Sequence, residues 1–138
     1  MSPDRYRDVL AAHGLDRVPS LDAAIEVVAG LRGRPVEVGA ADLGDSVWGM
    51  WLGLPESDQI VVNTSSIVSD RHREHVVAHE LMHVLDAHID PERAGTCAMR
   101  THFDDPTERR VEVLASELML VISAHRGLRG RLDSFLRP

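Results

Sequence analysis

The sequence predicts a small α+β domain with a short, about three-stranded sheet and long helices. Three observations predict it. Short runs of alternating or β-branched residues lie between 35 and 63, helical periodicity flanks them on both sides, and 138 residues fit one compact core. A chain of this size buries roughly two thirds of its unfolded surface, so neither a disulfide nor a structural metal is needed for folding. The expected organisation is one domain over 1–138. N-terminal helices cover 1–34, the small sheet 35–68, two long helices 69–126 and a C-terminal tail 127–138.

Residues 3–13 read as a short helix, broken at Pro19 and Ser20. Ser20 or Asp22 then caps a helix over about 21–32, in which Leu21, Ala24, Ile25, Val28 and Leu31 recur at helical spacing. Gly30, Gly33 and Pro35 mark its end. The period then changes. Residues 35–38 alternate as a first strand, 47–54 form a second with two glycines, 55–58 a turn, and 59–63 a third strand that makes a hairpin with the second. Ser69 caps a helix over about 70–87, and a loop over 88–105 follows. Asp105, Pro106 and Glu108 form a strong helix start, and the helix runs to about 125, where Gly127 and Gly130 end it. Its apolar residues Val111, Leu114, Ala115, Leu118, Val121 and Ile122 share one face.

Charge narrows the function. The net charge is −7 and every basic residue is Arg, so the chain lacks the basic footprint of a nucleic-acid binder. No apolar run reaches the ~18 residues of a membrane span, and the first residues do not resemble a signal peptide. The lone Cys97 excludes an internal disulfide and suits a reducing compartment. A cytoplasmic protein is expected.

Residues His79-Glu80-Leu81-Met82-His83 carry the chemistry, as H-E-x-x-H. Two histidines four apart lie about 40° from each other around a helix, so both imidazoles reach one ion. Zinc suits imidazole nitrogen and in a catalytic site takes three protein ligands with one place left for water. Glu80, between the histidines, is the expected general base. The apolar flank at Val76, Val77, Leu81, Val84 and Leu85 supports a real helix rather than a chance match.

The third ligand must come from elsewhere, because Asp86 and Ile89 stand where an extended H-E-x-x-H-x-x-G-x-x-H motif needs Gly and His. On the next helix Glu108 lies roughly 60° from the centre of the apolar face, Glu112 roughly 100°, and Glu117 on the far side. Glu108 is the first candidate, with Glu112 as an outer partner that orients a histidine ligand. If Glu108 is instead a capping glutamate, Glu112 becomes the ligand.

The motifs resemble those of the ImmA/IrrE family of metallopeptidases. His79-Glu80-Leu81-Met82-His83 stands for its H-E-L-G-H, and Glu108 to Leu120 for its second, glutamate-bearing helix. Gln59-Ile60-Val61-Val62-Asn63 takes the place of its strand. The resemblance spans about 35–122, with Met82, Val111, Leu120 and Val121 departing from the pattern. It implies a small zincin-like, gluzincin-type domain with Glu108 as the zinc-binding glutamate. It also implies a cytoplasmic endopeptidase that cleaves a specific partner, typically a helix-turn-helix repressor encoded nearby, in a mobile-element, phage or stress-response switch. The alternative is a toxin-like or regulatory binding module that sequesters such a partner, with structural or vestigial zinc.

In the hydrolytic reading His79, His83 and Glu108 hold Zn²⁺ while Glu80 moves the proton of the attacking water. The substrate is expected along an edge strand, 47–54 or 59–63. His88, Arg100 and His102 are loop candidates for a second oxyanion donor. His72 and His75 precede the motif on nearly the same face and read as solvated. At least one of Trp48 and Trp51 is expected in the core, and Cys97 is a remote candidate for an inhibitory thiolate.

Overall fold

A computed structural model describes residues 3–94 and 106–136. Helices α1 (Pro3–Ala12) and α2 (Leu21–Arg32) precede strands β1 (Val36–Ala41), β2 (Gly49–Gly53) and β3 (Asp58–Asn63). Then come α3 (Asp70–Ile89), the single turn α4 (Pro91–Ala94) and α5 (Pro106–Leu136). The class is α+β, as expected.

Helix α2 begins where the Ser20 hydroxyl accepts the Ala23 N–H, and it ends at Gly33, whose φ of 67° is the left-handed conformation a C-cap needs. The sheet order is β1-β3-β2, parallel between β1 and β3 and antiparallel between β2 and β3. Strand β3 is therefore central, and residues 59–63 are ruled out as the edge expected to receive a substrate. Strand β2 remains as an edge. Asp58, read as a turn residue, is the first residue of β3, opposite Val36 on one side and Gly53 on the other.

Helix α3 is the centre of the molecule. Ser69 caps it by accepting the His72 N–H, and from Val76 to Ala87 every side chain except His79 is buried. It packs on the sheet, on α2 and on α5, so it lacks the one-sided polarity of a surface helix. Leu81, Met82 and Leu85 meet Leu114, Leu118 and Ile122 of α5 and Val62 of β3 in one core.

Helix α5 departs from expectation. It does not stop near 125 but continues through Gly127 and Gly130 to Leu136, so the segment expected as a tail is helical over most of its length. Each glycine costs about 1 kcal/mol of helix propensity relative to Ala, a bias that an established helix tolerates. Cys97, Arg100, His102 and the proposed cap Asp105 lie outside the described residues.

Two buried polar nodes tie the elements together. Asp58, fully buried, receives the Trp51 indole N–H at 3.0 Å and the guanidinium groups of Arg32 and Arg34 at 2.8–3.2 Å. It thereby joins α2, the start of β1 and both other strands. Burial would raise its carboxyl, but the Arg34, Arg32 and Trp51 donors outweigh that and hold it at about 2. Buried Asn63 spans the loop before β2, accepting the Leu43 N–H and donating to the Gly44 and Val47 carbonyls.

Candidate metal centre

Helix α3 places His79, Glu80 and His83 so that one ligand atom from each lies within 4.8 Å of the others, a group able to hold a metal ion. His83 is buried, Glu80 is 7% exposed and His79 is partly open. The i, i+4 spacing brings the two imidazoles together, with ring centroids 5.0 Å apart.

Helix α5 brings Glu108 to the same point. One carboxylate oxygen, Oε2, is 3.0 Å from His79 Nε2 and the other, Oε1, is 2.8 Å from His83 Nε2. The second approach is close but misaligned for a hydrogen bond, and Oε1 is buried with no hydrogen-bond partner among the described residues. His79 Nε2 and Glu108 Oε2 share a hydrogen bond while Oε1 keeps unused acceptor capacity, so two nitrogens and a carboxylate converge as a donor set suited to a cation.

The position of Glu108 depends on how α5 starts. Arg110 forms a two-pronged pair with buried Asp86 of α3, at 3.1 Å for each prong. This pair fixes the first turn of α5 against α3 two residues beyond Glu108.

Glu112 lies one turn further along, on the outer side. Its Oε2 is 2.6 Å from His79 Nδ1, and its Oε1 is 2.6 Å from His75 Nε2. Glu112 therefore sits against the ring nitrogen of His79 that faces away from Glu108, which fits the outer, orienting role. His75 is thus engaged with a carboxylate from α5, a role the sequence reading as a solvated face missed. The available signal was its i−4 spacing from His79 on the face that carries the motif. His72 packs edge-on against Trp48 at 4.9 Å, and its Nδ1 accepts the Val68 N–H at 3.3 Å. Glu117 pairs with Arg7 of α1, away from the site, and His88 lies at the opposite end of α3.

Electrostatics concentrate negative charge here. Burial alone would depress the His79 imidazole, but the carboxylates of Glu108, Glu112 and Glu80 raise it to about 10. Burial would raise the Glu108 carboxyl, but His79 and His83 hold it at about 2. Glu112 is likewise lowered by His79 and His75 against its own desolvation. The carboxylates around His79 thus favour a positive charge at its position.

The centre opens into a cleft of about 260 Å³, lined on its far wall by Asp45, Ser46, Val47, Trp48 and Gly49. Gly49 is needed for close approach. A Cβ there would stand 2.7 Å from Val76 Cγ1, 3.0 Å from the Val61 carbonyl and 3.6 Å from Glu80 Cγ. Strand β2 can therefore lie directly over the turn of α3 that bears Glu80. Trp51 is in the core, whereas Trp48 is exposed at the cleft mouth.

No protein-family model, curated protein or solved structure matches this chain. Among the described residues, no helix is long and apolar enough to cross a membrane.

Proposed function

We propose that this protein is a zinc-dependent endopeptidase with a zincin-like fold, of the kind its motifs resemble in the ImmA/IrrE metallopeptidases. Its substrate is a specific protein partner, a helix-turn-helix repressor being the class the resemblance implies. The observation that carries this reading is the convergence of His79 Nε2 and His83 Nε2 on a buried Glu108 carboxylate beside Glu80.

His79, His83 and Glu108 would hold the metal. Zn²⁺ there supplies a Lewis acid for the scissile carbonyl and acidifies water near neutral pH. Glu80 takes a proton from the attacking water and delivers it to the leaving nitrogen. Glu80 is largely buried yet lines the cleft, so its carboxylate stands beside the space a substrate would enter. An extended substrate lies along the edge of β2, where the cleft passes between Trp48 and the imidazoles, and pairs through its backbone. A purely structural site has no use for a base at position 80, which favours hydrolysis over sequestration.

The test is co-expression with the product of the neighbouring gene. The expected result is truncation of that partner by the parent protein and none by Glu80→Gln, with one zinc per chain in both by elemental analysis. A partner left intact by zinc-loaded parent protein, yet still bound and inactivated, would establish sequestration instead. A parent protein without stoichiometric metal sinks both versions.

A further inference from the structure

We propose that His75 is a positioning residue for the metal centre, acting through Glu112 to fix the ring of His79. The inference rests on the zinc reading above and assigns a role to a residue outside the H-E-x-x-H motif.

His75 and His79 are one helical turn apart on α3, so their imidazoles project side by side. Glu112 reaches both from α5. One carboxylate oxygen meets His75 Nε2 and the other His79 Nδ1, each at 2.6 Å. When His79 serves as a neutral ligand, an Nδ1–H donated to Glu112 would leave the lone pair on Nε2, the nitrogen that faces Glu108. A carboxylate in this place selects both the tautomer and the ring orientation of a histidine ligand.

Glu112 cannot hold that position alone. Its side chain is 48% exposed, and the terminal torsion of a glutamate is broad, without sharp rotamer wells. A single bond to His79 would leave the carboxylate free to rotate into water, or inward to compete with Glu108 for the cation. The bond from His75 fixes the second oxygen and with it the carboxylate plane. Two donors on one helix and one acceptor on the other form a clamp across the α3–α5 seam. The clamp keeps Glu112 outside the ligand set and Glu108 inside it.

The experiment uses the full chain and zinc itself, with affinity measured by competition against a chromophoric chelator. Visible spectra of the Co²⁺-substituted protein report the ligand field. His75→Ala is expected to weaken zinc binding on the order of tenfold, the low end for loss of an orienting partner. His75→Gln, which keeps an N–H donor of similar reach, is expected to restore most of the affinity. In a Glu112→Ala background, His75→Ala is expected to add little. The melting temperature of the metal-free protein separates positioning from folding and is expected to be nearly unchanged by His75→Ala. Unaltered zinc affinity and Co²⁺ spectrum in His75→Ala would overturn the inference and leave the zinc reading intact. So would an equal loss of affinity with and without Glu112. A parent protein that binds no zinc overturns both.

Discussion

Asp58 and Glu108 are both buried carboxylates held at about 2, yet their surroundings differ in kind. Asp58 is enclosed by hydrogen-bond donors, two of them cationic. Two guanidinium groups and an indole N–H satisfy it completely, and nothing about the node invites a ligand. Glu108 faces two imidazoles, side chains that can serve as metal ligands, and one of its oxygens has no hydrogen bond among the described residues. The first arrangement joins strands and helix. The second leaves coordination capacity unspent. A low carboxylate pKa is therefore not a signature of function by itself; the chemistry of its partners decides.

Substitution with the isosteric amide breaks the comparison most directly. Asp58→Asn leaves two buried or half-buried guanidinium groups without a counter-charge, and a cost of about 3 kcal/mol or more is expected in urea unfolding. Acid titration reads the same node without mutation. The Asp58 carboxyl is lowered from 3.8 to about 2 in the folded state. Its contribution, about 2 kcal/mol, is present above pH ~4 and disappears as pH falls towards ~2. Asp58→Asn should flatten that limb of the stability curve.

Smaller effects lie on the metal side. Gly49→Ala forces a methyl group against Val76 and the Val61 carbonyl, and a loss of about 1–3 kcal/mol is expected from overpacking. Glu108→Gln in metal-free protein is expected to cost only about 1 kcal/mol, because His79 keeps the carboxylates of Glu112 and Glu80 beside it. The same substitution should abolish tight zinc binding, measured by elemental analysis after dialysis. Equal destabilisation by Asp58→Asn and Glu108→Gln would erase the distinction between the two nodes. Gly130→Ala supplies the baseline, since it touches neither carboxylate and a Cβ there meets nothing within 4 Å. It should raise stability by about 0.5–1 kcal/mol if α5 is helical at that point.

Sequence periodicity read the elements of the fold well wherever a rule spans a few residues. Ser20 and Ser69 cap α2 and α3 because the bond that defines a cap lies within three residues. His79, Glu80 and His83 meet because i, i+4 geometry is a property of the helix alone. Even the inward aim of Glu108 followed from its angle to the apolar stripe of α5. The far end of α5 was misread because a glycine is a bias of about 1 kcal/mol and not a stop.

What the chain determines by local spacing is thus the set of helices, the strands and the paired imidazoles. Tertiary packing alone decides that β3 lies between β1 and β2, leaving β2 as an edge beside the cleft. It also decides that Asp58 gathers Arg32, Arg34 and Trp51, and that Glu112 bridges His75 and His79. Those partners are 24 to 26, 7, and 33 to 37 residues away in sequence. No residue's own propensity encodes a partner that far along the chain; the register between α3 and α5, set by core packing and the Asp86–Arg110 pair, brings the centre together.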